Sequence, residues 1–499
     1  MSTLDMPRQA FVSGEKRKES TVRVSLKADT RIAPADELRF EERGSHTLVV
    51  SPANGGWVVT DDEREVESLR RLHDTTVGEV DGIHPRRVAE FFQRGVVTLD
   101  GVAVGTSSTR VEGLQLIAPK NVVNTYPALG IFHVHNWCNL ACTYCYTIEE
   151  GVERKQLSLD LMLKAVDELV ALPTPMTSIE FHGGEPTMAF KDIQKVVAYA
   201  KDVYARANKK VVFSIQTNGF YLSEKVCDFL AEHRFSVRVS LDGTPEMHDE
   251  FRVDHRGKGS YKGVVTGIKR LQDKGIAVHA VCVVHAGNTH RIVEMYDSMA
   301  ALDVASVRFL PVFQSGNAGQ EEWLTGDRYF ESYFEVVKHV ARRARAGEKV
   351  VPLANLLAGE LGSLRSFRRE YMCMRNPCGA GVNMITVDAN GDLYPCEEMV
   401  GKEEFVIGNL AETDIRTAID TSPVVQQLRE RHVEEIDECT SCTWKQFCHG
   451  GCVHKSYTHF KRLDRESEHC SYYKRVYQEL IWLDVEEPGT WDLLSPNGR

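Results

Sequence analysis

From about residue 131 the chain alternates short apolar runs with helical stretches, and this regularity restricts its fold more than any other feature. The runs IFHVH, SIEFHGG, VVFSIQTNG, SVRVSLDG, VHAVCVV and SVRFLPV are rich in β-branched and apolar residues and have the length of strands. Between them lie LDLMLKAVDELVAL, DIQKVVAYAKDVYARA, EKVCDFLAEH, GVVTGIKRLQDKG and RIVEMYDSMAAL, with apolar residues at helical spacing. Six such repeats predict an α/β fold on a parallel sheet, either an open doubly wound sheet or a partial barrel. Both put the chemistry at the carboxyl ends of the strands. The polar and glycine-rich motifs fall there: HNWCN after the first strand, GGEP after the second, QTNG after the third and SLDG after the fourth.

The flanking regions read differently. ELRFEER, HTLVVSP and GWVVTDD predict short strands, EREVESLRRLH and PRRVAEFFQRG predict helices, and VVTLDGVAV carries a hairpin signal at Asp100–Gly101. Strands, two short helices and a hairpin suggest a winged-helix-like module, able to offer a strand edge to an extended peptide or to serve in packing or dimerisation. At 499 residues the chain is too long for one core. The expected division is a flexible arm at 1–30, the module at 31–120, the barrel-type unit at 125–347, a cysteine-rich unit at 348–485 and a tail at 486–499.

Composition narrows the setting. The N-terminus lacks a signal-peptide core, and no uncharged run reaches the ~18–20 apolar residues that span a bilayer, so a cytoplasmic protein is expected. Lys and Arg total 60 against 71 Asp and Glu, and the net charge of −11 argues against nucleic acid or an anionic membrane as partner. Arg17, Lys18, Arg23 and Lys27 read as a solvated basic arm rather than a binding patch.

The 13 cysteines cannot all close into intramolecular disulfides, and in a reducing compartment clustered thiols point to metal or redox chemistry. Cys138, Cys142 and Cys145 form C-x3-C-x2-C on the loop leaving the first strand. Three thiolates can hold three irons of a [4Fe–4S] cluster and leave the fourth open; a zinc site short of one ligand is the alternative. Eight more cysteines lie between Cys373 and Cys470, including a CTSC…CHGGC series that a zinc ribbon would also explain. Cys227 and Cys282 have apolar neighbours and read as buried hydrophobes. His133 and His135, alternating along the first strand, read as packing residues.

CNLACTYCY, followed by GGEP at Gly183–Pro186, QTNG at Gln216–Gly219 and SLDG at Ser240–Gly243, resembles the radical S-adenosylmethionine (SAM) enzymes over about residues 130–345. The resemblance implies a partial (β/α)6 TIM-like barrel in which SAM chelates the open iron. Tyr144, Gly183, Gly184, Glu185, Asn218, Ser240, Asp242 and Arg252 stand where that family contacts SAM; Glu185 would accept from its ammonium, and Arg252 would pair with its carboxylate. The C-terminal series resembles the SPASM extension of peptide-modifying members, with two auxiliary [4Fe–4S] clusters. Cys373, Cys378, Cys396 and Cys452 would hold the first, and Cys439, Cys442, Cys448 and Cys470 the second. The hairpin TVDANGDLYP would carry Cys396 on its return strand, and Glu397 stands where sulfatase-maturating relatives have a catalytic aspartate.

The implied reaction is reductive SAM cleavage to a 5′-deoxyadenosyl radical, hydrogen abstraction from a precursor peptide and an intrapeptide crosslink, either a thioether or a bond to an unactivated carbon. Its implied partners are a peptide or protein bound through its leader and a reductant such as flavodoxin or ferredoxin. Rival readings are oxidation of Ser or Cys to formylglycine, epimerisation or decarboxylation, and a noncatalytic iron–sulfur carrier or zinc scaffold.

Overall fold

The computed structural model describes residues 2–4, 24–104, 126–146, 153–313, 318, 323–365 and 371–495. Six parallel strands run through Leu129–His133, Met176–His182, Lys210–Thr217, Ser236–Ser240, Val278–Val284 and Ser306–Pro311. Each pairs with the next in sequence, which selects the partial barrel over a doubly wound sheet, because a doubly wound order would reverse midway. Side-chain caps start three of the helices between them. Ser158 accepts from Leu161 N, Ser223 from Val226 N and Thr244 from Met247 N, each satisfying a first-turn amide. The cap at Thr244 opens Pro245–Phe251, a short helix that the apolar pattern does not announce.

The sheet does not end at its first strand. Met384–Val387 joins it in parallel, pairing Met384 with Leu129 and Val387 with Phe132, and a hairpin through Asp392–Tyr394 and Gly408–Asn409 extends it further. The expected turn at Asn390–Gly391 is present, with Gly391 at φ 86°. Cys396 lies two residues past the return strand rather than on it.

Residues 24–104 build a separate core from Ile32, Val49, Val58, Leu69, Val88, Phe91 and Phe92. Arg39–Arg43, His46–Ser51 and Gly56–Thr60 form one antiparallel sheet, and the helices Glu63–Arg71 and Pro85–Gln93 follow. The expected hairpin at 96–104 is only a tight turn. Leu99 and Val102 exchange backbone hydrogen bonds around Asp100 and Gly101, both at positive φ, while Val97–Leu99 pairs with Arg31–Pro34 instead. Arg17, Lys18 and Arg23 lie outside the described residues.

This unit rests on the helix Cys470–Glu486. Arg43 pairs with Glu479 at 2.6 Å and lies over Trp482, whose indole donates to Glu41 at 2.9 Å. Trp57 donates to the Leu364 carbonyl at 3.0 Å and meets Trp491 edge-on. Trp491 belongs to a short helix, Thr490–Leu494, so residues 486–495 are a packed terminus and not the expected tail; burial of the indole and its hydrogen bond to Leu480 hold them. Among the described residues no helix is long and apolar enough to cross a membrane.

Cys227 and Cys282 are fully buried among apolar side chains, as expected. Glu360, on the segment between barrel and C-terminal unit, is buried and accepts from Tyr472 at 2.8 Å, while its second oxygen has no partner among the described residues. Burial pushes its carboxyl up to about 7. The folded state therefore holds a proton that the unfolded chain releases near pH ~4.3, so this group's contribution to stability declines as pH rises toward 7. Glu360→Gln keeps the acceptor for Tyr472 and removes the charge. It should raise thermal stability at pH 8, by up to ~3 kcal/mol, and change little at pH 5. Parallel stability–pH profiles for the two proteins would contradict this.

Candidate functional site

The loop after the first barrel strand is pinned on three sides. Ala141 and Thr143 donate their amides to the carbonyls of Val253 and Phe251, and the Asn218 side chain reaches Cys138 Sγ at 3.3 Å. Opposite, Gly184 N donates to His135 O at 2.9 Å and Glu185 N to Trp137 O at 3.1 Å. A Cβ on Gly184 would sit 1.7 Å from the Trp137 carbonyl oxygen. Gly183, at φ 114°, is similarly confined by His135. These two glycines thus serve the approach of the protein's own cysteine loop, where the sequence suggests an approach to ligand.

Cys138, Cys142 and Cys145 are close enough to influence one another. Burial, then Glu185 and the neighbouring thiols, pushes Cys138 up to about 12; burial pushes Cys142 up to about 11 against the pull of Arg252. Thiols that resist ionisation are poor free nucleophiles and become thiolates when a metal displaces the proton. Three cysteines on one loop fit a [4Fe–4S] cluster with one iron left for another ligand.

The rim residues converge on this loop, with partners that differ in part from those expected. Glu185 is fully buried: Oε1 accepts from Thr187 N, Thr187 Oγ1 and Thr217 Oγ1, and Oε2 from Asn218 N at 2.7 Å. It braces GGEP against QTNG and has lone-pair capacity left only on Oε2. Asn218 also bonds Asn139 at 2.7 Å. Asp242 and Arg252, expected as separate ligand contacts, form one buried pair, with Nε to Oδ2 at 2.7 Å. Burial opposes both charges, yet Arg252 holds the Asp242 carboxyl below its usual range and Asp242 holds the guanidinium above its own. Tyr144 donates to the same carboxylate, and its ring lies under Arg252. Ser240 is bound by Gln216 at 3.2 Å.

The eight C-terminal cysteines sort into two groups. Cys373, Cys378, Cys396 and Cys452 share one electrostatic environment. Burial raises Cys396, then Cys452, Glu398, Cys373 and Cys378 raise it further. Cys373 is exposed by area, but protein crowds its thiol, which desolvation and then Cys452 and Cys378 push up to about 12. Cys439, Cys442, Cys448 and Cys470 form the other group, with Cys439 pushed to about 12 by burial, Cys470 and Cys442. Burial and the same neighbours raise Cys448. Each group offers four thiols, the donor number of a closed iron–sulfur site.

Glu397 follows Cys396 and faces the barrel. Its Oε1 accepts from Tyr146 at 2.6 Å and from His182 Nε2 at 2.9 Å. Burial works against the charge, but His182 overcomes it and holds the carboxyl below the usual range. His182 stacks on His133, which burial and then His182 push down to about 3, so His133 is neutral. His133 is more than the packing residue expected: its Nε2 has no partner among the described residues, and it, His182 and Glu397 bring three donor atoms within 4.8 Å of one another. His135 likewise stacks on Trp137. Tyr146 and His182 are the residues that sequence reasoning missed. Both stand inside quoted motifs, but their partner is more than 200 positions away.

Residues 132–299 match the radical SAM superfamily, and residues 378–443 match SPASM, an iron–sulfur cluster-binding domain. A cysteine-type anaerobic sulfatase-maturating enzyme of Clostridium novyi (strain NT) is 26% identical over 354 residues, covering 69% of this chain and 92% of its own. The structure of native anSMEcpe with bound AdoMet shares the fold at TM-score 0.64 and 20% identity, over 72% of this chain and 98% of that one. Streptococcus suis SuiB bound to precursor peptide SuiA aligns at TM-score 0.53 and 14% identity, over 87% of this chain and 98% of that one. With its C-x3-C-x2-C loop after the first strand of a partial barrel and its cysteine-rich unit joined to the same sheet, the chain carries a radical SAM domain over residues 132–299 and a SPASM domain over residues 378–443.

Proposed function

We propose that this protein is a peptide maturase that installs an intrapeptide crosslink, either a thioether or a bond to an unactivated carbon, in a precursor held by its leader. Cys138, Cys142 and Cys145 would hold the SAM-binding [4Fe–4S] cluster, and the two C-terminal groups of four would hold auxiliary clusters. When bound, these groups supply one-electron chemistry that removes a hydrogen atom from an unactivated carbon. The electron comes from a reductant such as flavodoxin or ferredoxin.

The observation that carries the reading is Glu397. It is tied to the first auxiliary group through Cys396 and to the barrel through His182 and Tyr146. Those two donors occupy Oε1 and fix the carboxylate, leaving Oε2 to take a proton from the substrate. The Asp242–Arg252–Tyr144 cluster and the Glu185 brace hold the cysteine loop rigid, which is the positioning a short-lived radical demands. The unit at 24–104 would bind the leader. It sits on the helix that begins at Cys470, so a peptide held there is close to the cluster-bearing part of the chain.

A second reading, oxidation of Ser or Cys to formylglycine, draws support from the sulfatase-maturating relatives and from an acidic residue beside Cys396. Tandem mass spectrometry of a co-expressed precursor distinguishes the two. Loss of two hydrogens with fragments missing across the bridged residues supports the crosslink; full fragmentation with an aldehyde-reactive product, lighter by two hydrogens from Ser or with sulfur also replaced by oxygen from Cys, selects oxidation.

Glu397→Gln should still yield 5′-deoxyadenosine from SAM while peptide product falls ~100-fold, the usual scale for loss of a proton-transfer group. Undiminished product would remove Glu397 from the chemistry. A labelled precursor peptide should bind the full chain about tenfold more tightly, ~1.4 kcal/mol, than a chain lacking residues 24–104. Equal affinities would mean that this unit does not bind the leader.

A further inference from the structure

Arg431 is a buried arginine between the two C-terminal cysteine groups. It stands at the end of the helix Pro423–Glu430, and among the described residues its guanidinium donates only to backbone carbonyls: Nε to Leu463 at 2.6 Å, one terminal nitrogen to Arg465 at 2.8 Å and the other to His449 at 3.4 Å. His449 begins the three-residue linker between Cys448 of one group and Cys452 of the other. The linker is packed against the guanidinium, since a Cβ on Gly450 would meet an Arg431 terminal nitrogen at 3.1 Å. Its other contacts fix it further. His449 Nδ1 pairs with the Met374 carbonyl beside Cys373, and Ser467 N donates to Gly450 O at 2.7 Å.

An arginine satisfied by carbonyls alone keeps a full positive charge in a place where burial disfavours it. Desolvation lowers its pKa, and the groups that support its charge are the thiolates of Cys378 and Cys452 from one set and of Cys439 and Cys448 from the other. In return its charge favours ionisation of Cys378 and Cys439. Clusters held by four thiolates are net anionic and become more so on reduction, so a fixed cation beside them favours the reduced form.

The geometry points to Arg431 as a cation shared by both auxiliary sites, which clamps the Cys448–Cys452 linker and raises the reduction potential of both clusters. This inference rests on the reading that the two groups bind clusters, and it assigns the chain a device that biases both toward accepting an electron. One residue between two sites would keep their potentials matched, which suits transfer from one cluster to the other.

The test is an anaerobic, spectroscopically monitored redox titration of the iron-loaded full chain. Adding SAM marks the signal of the N-terminal cluster and separates it from the auxiliary ones. In Arg431→Gln the reduced-to-oxidised ratio of both auxiliary clusters at a fixed potential should fall about tenfold, a shift of ~59 mV for one electron, with the N-terminal cluster unmoved. Arg431→Lys keeps the charge without the fork and should retain near-native potentials. Arg462→Gln, a change at an exposed arginine paired with Asp464, should shift neither. Loss of auxiliary iron in Arg431→Gln with retention in Arg431→Lys also supports the shared cation. Full loading with unmoved potentials in Arg431→Gln would overturn it, as would loss or equal shift in both variants. If the native chain takes up iron for only the N-terminal cluster, the cluster reading of the two groups fails instead.

Discussion

The parallel pairing of Met384–Val387 with Leu129–His133 is the contact on which the rest of the structure depends. It makes the C-terminal unit a continuation of the barrel sheet, so the two cannot move apart without breaking a ladder of backbone hydrogen bonds. The strand that carries the cysteine loop is buried between two parallel neighbours, one leading to GGEP and the other to the hairpin before Cys396. Glu397 follows a hairpin whose first strand, Met384–Val387, lies across the central strand from Met176–His182. The junction between the radical-generating loop and the first auxiliary group is therefore set by sheet register.

A second layer of rigidity comes from buried polar groups that satisfy one another. Glu185 ties the second strand's loop to the third, and Asp242 ties the fourth to Arg252, Tyr144 and the amide of Val283. Each carboxylate is expensive to bury and becomes stable only with its full set of donors, so these contacts specify one arrangement of the rim. The cysteine loop inherits that precision, since Gly184 has no room for a side chain against Trp137. A site that must hold a target carbon close to a reactive species gains from a scaffold that does not relax.

Much of this was legible in the sequence because it is local. Strands and helices follow from apolar periodicity, and the grouping of the cysteines from the family resemblance their motifs carry. Partnerships across the chain were not legible. Asp242 and Arg252 look like two ligand contacts until folding pairs them, and Glu185 looks like a free acceptor until Thr217 and Asn218 occupy it. His182 and Tyr146 gain meaning only from Glu397, and the terminal helix with Trp491 only from Trp57. The Asp100–Gly101 pair dictates a turn, but the strand before it takes its partner from Arg31–Pro34, far away in sequence. In each case a short-range signal was right about conformation and silent about which surface would cover it.

The central claim, that three thiols beside an open iron position generate a radical from SAM, is tested most directly by product analysis of the reconstituted protein. With iron and sulfide loaded anaerobically, SAM and dithionite should yield 5′-deoxyadenosine and methionine from the native chain and none from a chain with Cys138, Cys142 and Cys145 replaced by alanine. Full iron loading with no SAM cleavage in the native chain would contradict the account.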